Sequence, residues 1–328
     1  MIKMAKRVSV LLVFVLTVLS LISFSRGVGN SFSGKSNQQK CQKITYVSNP
    51  PSVPESIVFA GDTINLKRAD LRERMDRELI AFTYTHSISV LMVKRANRFF
   101  PIIEPLLKKN GIPDDLKYLM VIESNMDPGA VSSAGAAGLW QFMQGTARSY
   151  GLEVNANVDE RYNIEKSTNA ACAYLRESYI LYNDWITAAA SYNAGQQGVL
   201  RRIEGQNQAC SVDLWLAEET SRYMFRILAA KMLLENPQLF GFSFTKEQLY
   251  PYIPPKEVLT VDYSISDLVK FAQDRGIIYA QLKRANLWLR EDKLNNSSKK
   301  IYKISIPDVE SECYDPALTK VHYNIWVN

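Results

Sequence analysis

The chain has 328 residues, of which 47% are hydrophobic, 22% charged and 11% aromatic; this excludes a disordered or fibrous protein and, at roughly 150 residues per domain, predicts about two globular domains. The formal net charge of +6 includes Lys3, Lys6 and Arg7. The near-balanced remainder, with no basic stripe of interleaved aromatics, excludes nucleic acid as a partner.

The chain opens with those three basic residues. It then runs apolar from Val8 to Phe24 and turns polar at Ser25, Arg26 and Gly27. Residues 1–25 therefore read as an export signal. The apolar run is long for a cleaved signal and short for a membrane span, so cleavage near the small residues Ser23 and Ser25 is expected, with a retained N-terminal membrane anchor as the alternative. Either way the protein is expected outside the cytoplasm, in the periplasm or cell envelope. Residues 26–65, rich in Ser, Gly, Asn, Gln and Pro and broken by Asn49-Pro50-Pro51 and Pro54, read as a tether.

From 66 to 245 the apolar residues recur at three- and four-residue spacing. Turn signals interrupt them at Asn110-Gly111, Asp127-Pro128-Gly129, Gly151 and Asn193-Ala194-Gly195, which predicts a helical main domain. After Pro251, Pro254 and Pro255 the pattern changes to a strand at Val258–Asp262, a helix from about Ser266, a second helix near Ala280–Asn286 and a closing strand at Ile301–Ile306. Residues 251–328 thus read as a small α+β module of order strand-helix-helix-strand. The fold class expected for the whole is mainly α. Four cysteines (Cys41, Cys172, Cys210, Cys313) allow three pairings in an oxidising compartment, while Cys172 in a helical run reads as a buried free thiol.

Two histidines, His86 and His322, leave little material for a metal site or a Ser-His-Asp system, so no metal and no cofactor are expected and catalysis should rest on carboxylates. One carboxylate stands out. Pro113-Asp114-Asp115 starts a helix, and at about 100° per residue Leu116, Leu119, Met120 and Glu123 share its apolar face. Glu123 therefore projects from that face near the helix C-terminus. Desolvation and the negative end of the helix dipole both favour the protonated acid, which suits a general acid for glycoside cleavage. A glutamate paired with a distant arginine is the other reading.

Downstream, the Gly/Ala-rich stretch Asp127–Phe142 lets backbone approach a ligand closely. In it Ser132 and Gln141 can hydrogen-bond a sugar, and Trp140 and Phe142 either stack on a pyranose or, as expected, fill the core. The helix at Trp185–Ala194 is stopped by Gly195, and Glu218-Glu219-Thr220 opens another helix whose Tyr223 either reaches a buried carboxyl or packs as a core phenol.

In this order, Glu123-Ser124, Gly138-Leu139-Trp140-Gln141, Ser191-Tyr192-Asn193-Ala194-Gly195 and Glu219-Thr220 with Tyr223 resemble the four motifs of the family 1 lytic transglycosylases, whose catalytic domain is a goose-lysozyme-like helical fold. Trp140, where Met is usual, and Val158-Asp159-Glu160-Arg161 are most similar to the membrane-bound D branch of that family. The resemblance covers about Arg68 to Phe240. The segments Ser266–Ala272, Leu282–Asn286 and Tyr302–Pro307 resemble, more faintly, a degenerate LysM-type module. Ser191 departs from the usual Ala, and no cysteine closes the apolar N-terminal run to accept a lipoprotein's lipid.

The resemblance implies a peptidoglycan substrate cleaved between N-acetylmuramic acid and N-acetylglucosamine, with 1,6-anhydromuramyl ends as product. It implies Glu123 as the catalytic acid and then base, Ser132, Gln141, Tyr192 and Asn193 against the glycan, and Tyr223 hydrogen-bonded near Glu123. Two alternatives stand beside it. One is a muramidase that hydrolyses the same bond with Asp127, Glu218 or a neighbour as base; the other is a non-catalytic wall-binding scaffold.

Overall fold

The structure, a computed structural model, describes residues 49–313 and 315–327. The apolar run Val8–Phe24, Cys41 and the first part of the expected tether lie outside the described residues. Among the described residues no helix is long and apolar enough to cross a membrane.

The first described element differs from expectation. Residues 56–65, placed in the tether by composition, form an antiparallel hairpin of β1 (Ser56–Phe59) and β2 (Asp62–Asn65). Its turn, Ala60-Gly61, has both residues at positive φ, and its inward side chains Ile57, Phe59 and Ile64 join the main core. The Ala60 amide donates to Asp115 (2.7 Å), which fastens the hairpin to the turn before the Glu123 helix.

The helical body comprises α1 (Ala69–Tyr84), α2 (His86–Lys109), α3 (Lys117–Ser124), α4 (Gln144–Ser149), α5 (Ile164–Tyr182), α6 (Trp185–Ala194), α7 (Gln196–Gln206) and α8 (Glu218–Glu235). Its centre is α8, which packs against α1, α3 and α6. Phe225, Ile227, Leu228, Ala229, Ala230, Leu233 and Leu234 are all buried on it, while Glu218, Glu219, Arg222 and Glu235 remain exposed. Helix starts follow local chemistry: Asn163 accepts from the Lys166 amide and Asp184 from the Thr187 amide, each satisfying a free first-turn donor.

The C-terminal module consists of β3 (Glu257–Val261), α9 (Leu268–Gln273), α10 (Tyr279–Ala285) and β4 (Tyr302–Ile306). The strands pair antiparallel with Val261 opposite Tyr302, and Val261, Leu268, Leu282, Leu294 and Ile304 lie in a second core. Strand, helix, helix, strand is the expected order.

The segment after Ile306 departs from expectation. Residues 319–327 lie on the helical body instead of completing the module. Trp326 is wholly buried in the main core, with its indole N–H donating to the Leu234 carbonyl (2.6 Å). The buried Asn97 donates to the carbonyls of Tyr250 and Lys320 (both 3.0 Å) and accepts from the His322 amide (2.8 Å). The tail also holds the start of α3: Lys117, 1% exposed, donates to Glu104 (2.7 Å), to Asp114 and to the Tyr323 hydroxyl (2.8 Å). A buried ammonium needs such a set of acceptors.

Candidate active site

Glu123 stands on the last turn of α3, where carbonyls lack helical partners. Two arginines serve them: Arg226 on α8 donates to the Ile122 carbonyl (3.3 Å) and Arg95 on α2 to the Asn125 carbonyl (2.9 Å). Asn125 and Met126, both at positive φ, then turn the chain sharply away. The helix is thus capped without any donor placed directly on the Glu123 carboxylate by these arginines.

Among the described residues the one side-chain hydrogen bond to that carboxylate comes from α8. The Tyr223 hydroxyl donates to Glu123 Oε1 at 2.6 Å, across one hundred residues of sequence. Burial pushes the Glu123 carboxyl up to about 7, against the Tyr223 hydrogen bond and the Arg226 charge, which both lower it, and with the Glu219 charge, which raises it. Burial also pushes the phenols of Tyr223 and Tyr192 well above their usual range, so both remain donors at neutral pH. Arg226 lies three residues from Tyr223 and therefore on the same helical face. That spacing was the signal for it in the sequence, where it was not singled out.

The residues expected to touch sugar fall into three positions. Tyr192, whose phenol feels the charge of Glu123, donates its hydroxyl proton to the Trp140 carbonyl (2.8 Å) and sets its ring edge against Phe142 and Tyr174; its visible bonding is to the loop and not outward. Asn193 accepts from the Thr220 hydroxyl (2.9 Å), which seats the end of α6 against the first turn of α8, one turn before Tyr223. Ser132 and Gln141 lie in the loop 130–142. Ser132 Oγ accepts from the Ala136 amide (3.0 Å). Gln141, itself at φ 47°, donates its side-chain amide to the Ala130 and Gly138 carbonyls (3.2 and 2.9 Å). No hydrogen bond joins either of them to Glu123.

Trp140 and Phe142 are core residues, the first with its N–H on Thr168 (2.9 Å). The two departures from the family pattern have local reasons. Trp140 fills the core with its one polar atom satisfied, and Ser191 donates to the Ala188 carbonyl (2.7 Å) beside Ser178 (3.1 Å). Cys172, Cys210 and Cys313 are free thiols, Cys172 buried.

Of the carboxylates offered as a second catalytic group, Asp127 is engaged by the Gly129 amide (2.9 Å) and Arg95 (3.4 Å), and Glu218 by Arg77 (2.6 Å) on the surface. A cavity of about 360 Å³ lies under the hairpin, lined by Phe59, Arg68, Asp184, Cys210 and Asp213 among others. None of the candidate site residues lines it, and its Arg68 is paired with Asp70 and Asp213, so it reads as a packing crevice. Among the described residues no cluster of three or more His, Cys, Asp or Glu side chains is placed to hold a metal ion.

Comparison with known proteins finds the following similarities. Residues 100–211 match the transglycosylase SLT domain family, and residues 257–310 match the soluble lytic transglycosylase C-terminal LysM-like domain. The chain is 29% identical to the membrane-bound lytic murein transglycosylase D of Escherichia coli (strain K12), over 73% of this chain and 53% of that protein. It is 34% identical to the membrane-bound lytic murein transglycosylase C of Photorhabdus laumondii subsp. laumondii, over 33% of this chain and 34% of that one. The chain thus spans about half the length of the first of these relatives. Among solved structures it matches an inactive mutant of the lytic transglycosylase Slt from Pseudomonas aeruginosa, with a TM-score of 0.36 and 23% identity over 42% of this chain and 24% of that one.

Proposed function

We propose that this chain, with an SLT domain at residues 100–211 and a LysM-like domain at 257–310, is a peptidoglycan lytic transglycosylase. It cleaves the β-1,4 bond between N-acetylmuramic acid and N-acetylglucosamine. The observation that carries this reading is a single carboxyl, Glu123, raised to about 7 by burial and held by one phenolic donor. An acid poised there keeps its proton in about half the molecules at neutral pH and still gives it up readily.

In the reaction Glu123 donates its proton to the glycosidic oxygen, and the N-acetylglucosamine hydroxyl leaves. The resulting carboxylate takes the proton of the muramic acid C6 hydroxyl as that oxygen bonds to the anomeric carbon, leaving a 1,6-anhydro ring. Glu123 finishes protonated, as it began. Intramolecular attack has a high effective molarity, so the second carboxylate of hydrolytic glycosidases is not required. The engagement of Asp127 and Glu218 elsewhere supports this over the hydrolytic alternative. Tyr223 orients Glu123; Ser132, Gln141, Tyr192 and Asn193 flank the glycan. Like the membrane-bound relatives, the protein acts in the cell envelope, reached by way of the segment 1–25.

Mass spectrometry of digested sacculi tests the reaction: anhydromuramyl ends are expected, and products heavier by one water, with reducing ends, would establish a muramidase. Binding to sacculi with no soluble product would establish a scaffold. Tyr223→Phe tests the site. Its lost hydrogen bond favoured the ionised carboxylate, so the alkaline limb of kcat/KM, set near pH 7 in the wild type, is expected to move to higher pH while turnover drops by about tenfold. An unmoved or lowered limb would remove Tyr223 from this role.

A further inference from the structure

Resting on the lytic activity proposed above, we infer that the C-terminal module is a buttress of the active-site loop. Arg161 is the positioning residue through which it sets Ser132 and Gln141.

The loop 130–142 folds back on itself: Gly138 N donates to Ala130 O (2.9 Å), Ser132 N to Ala136 O (2.9 Å) and Ala137 N to Phe142 O (3.1 Å). Outside itself it is tied to Tyr192 and Thr168 at Trp140 and, at two of its carbonyls, to Arg161. Nη1 of that guanidinium donates to the carbonyls of Gly135 (2.7 Å) and Phe142 (3.1 Å), one near Ser132 and one beside Gln141 in sequence. The other edge of the fork bonds both oxygens of Asp159 (2.9 and 2.7 Å). The pair is nearly buried, at 11% and 9% side-chain exposure, where a bidentate arginine is held in one geometry.

The segment carrying that pair is joined to the module. Val158 bridges Leu289, the Asp159 amide donates to the Trp288 carbonyl (2.9 Å) and the Arg290 amide to the Asn157 carbonyl (2.9 Å). Asn157 donates to the Lys293 carbonyl (2.8 Å) and accepts from the Asn295 amide (2.9 Å). Beside this seam Glu153 receives Lys300 (2.6 Å) and the Tyr302 hydroxyl (2.9 Å). The loop itself reaches across: Ala137 is buried in a core shared by Val158 and Tyr162 with Trp288, Leu289 and Tyr302 of the module. While Leu139, Trp140 and Phe142 of the loop belong to the main core, Ala137 is therefore packed in a core to which the module contributes. A shift there moves Ser132 and Gln141 without touching Glu123, and displacements of about 1 Å in positioning groups cost up to about a hundredfold in rate.

The test uses the full chain with Leu289→Ala, which removes apolar bulk from the core that holds Ala137 and Val158, and Arg161→Lys, which keeps the charge and loses the fork. Two measurements are made: amide hydrogen exchange, and kinetics on soluble glycan strands. For both variants the Ala137, Gly138 and Gln141 amides are expected to exchange at least about tenfold faster while those of α8 stay protected. KM should rise about tenfold with a smaller fall in kcat, and the pH midpoint of Glu123 should be unmoved. Unchanged loop exchange and KM in either variant would overturn the inference, as would loss of protection spread evenly over the helical body. The exchange arm does not depend on turnover: if the wild type releases no anhydro product, the proposed function fails while the coupling is still read.

Discussion

Glu123→Gln is expected to abolish product release and, at pH 8, to make the protein more stable than the wild type. Both effects come from the same burial. The wild-type carboxyl rises from the ordinary 4.5 to about 7 in the folded chain, so the folded state binds this proton more tightly than the unfolded one. Below about pH 4.5 both states are protonated and the group is neutral in stability. Between 4.5 and 7 the unfolded chain ionises first, and stability falls as pH rises. Above 7 the full penalty applies, about 3 kcal/mol. Glutamine has the same shape, still accepts from Tyr223, and never ionises. Urea unfolding at pH 4.5 and pH 8 should show the variant's gain only at the higher pH. Turnover should drop by at least about a thousandfold at both, the scale of a lost general acid. A gain independent of pH would mean that the carboxyl is not the strained group; undiminished turnover would remove Glu123 from the chemistry. In the wild type the proton needed for the first step is lost above pH 7, so kcat/KM should decline on that side.

Gly138→Ala is expected to destabilise the protein by about 3–5 kcal/mol, one of the larger effects available to a single methyl group. Gly138 has φ +76°, and a Cβ there would lie 2.1 Å from the Arg161 carbonyl oxygen. That oxygen is backbone and cannot swing aside. Gly135→Ala is the matched control, because it sits at φ +84° with nothing within 4 Å of a Cβ. It should cost only the left-handed penalty, about 1–2 kcal/mol. Equal costs at the two positions would show that the close approach of loop and Arg161 segment carries no weight. Activity should follow the difference, with Gly138→Ala losing about a hundredfold in kcat/KM because the displaced loop carries Ser132 and Gln141.

Much of the fold was legible wherever local rules acted alone. Pro113-Asp114-Asp115 marked the approach to α3, which begins at Lys117 after a short 3-10 turn. Gly195 ended α6, and the order of the C-terminal module followed from its turn residues. The hairpin at 56–65 was not legible. Its strands are four residues long, its turn is Ala60-Gly61 where Asn-Gly would have announced the geometry, and its stability comes from Ile57, Phe59 and Ile64 packed on helices far along the chain. The tail was hidden for a similar reason, since Trp326 looks like any terminal aromatic until Leu234 and Phe100 stand beside it.

At the candidate site the division is the same. Helical spacing alone put Glu123 on an apolar face, while Ser132, Gln141, Tyr192, Asn193 and Tyr223 were implied as site residues by the resemblance to the family. Tertiary structure decided what surrounds them: Tyr223 as the single donor, Arg226 close enough to temper the carboxyl yet bonded to Ile122, and Ala137 resting in another module's core. Periodicity reports which face of a helix a residue occupies because that depends on near neighbours in sequence. Desolvation and electric fields depend on distances through space, and here those distances join segments one hundred or more residues apart.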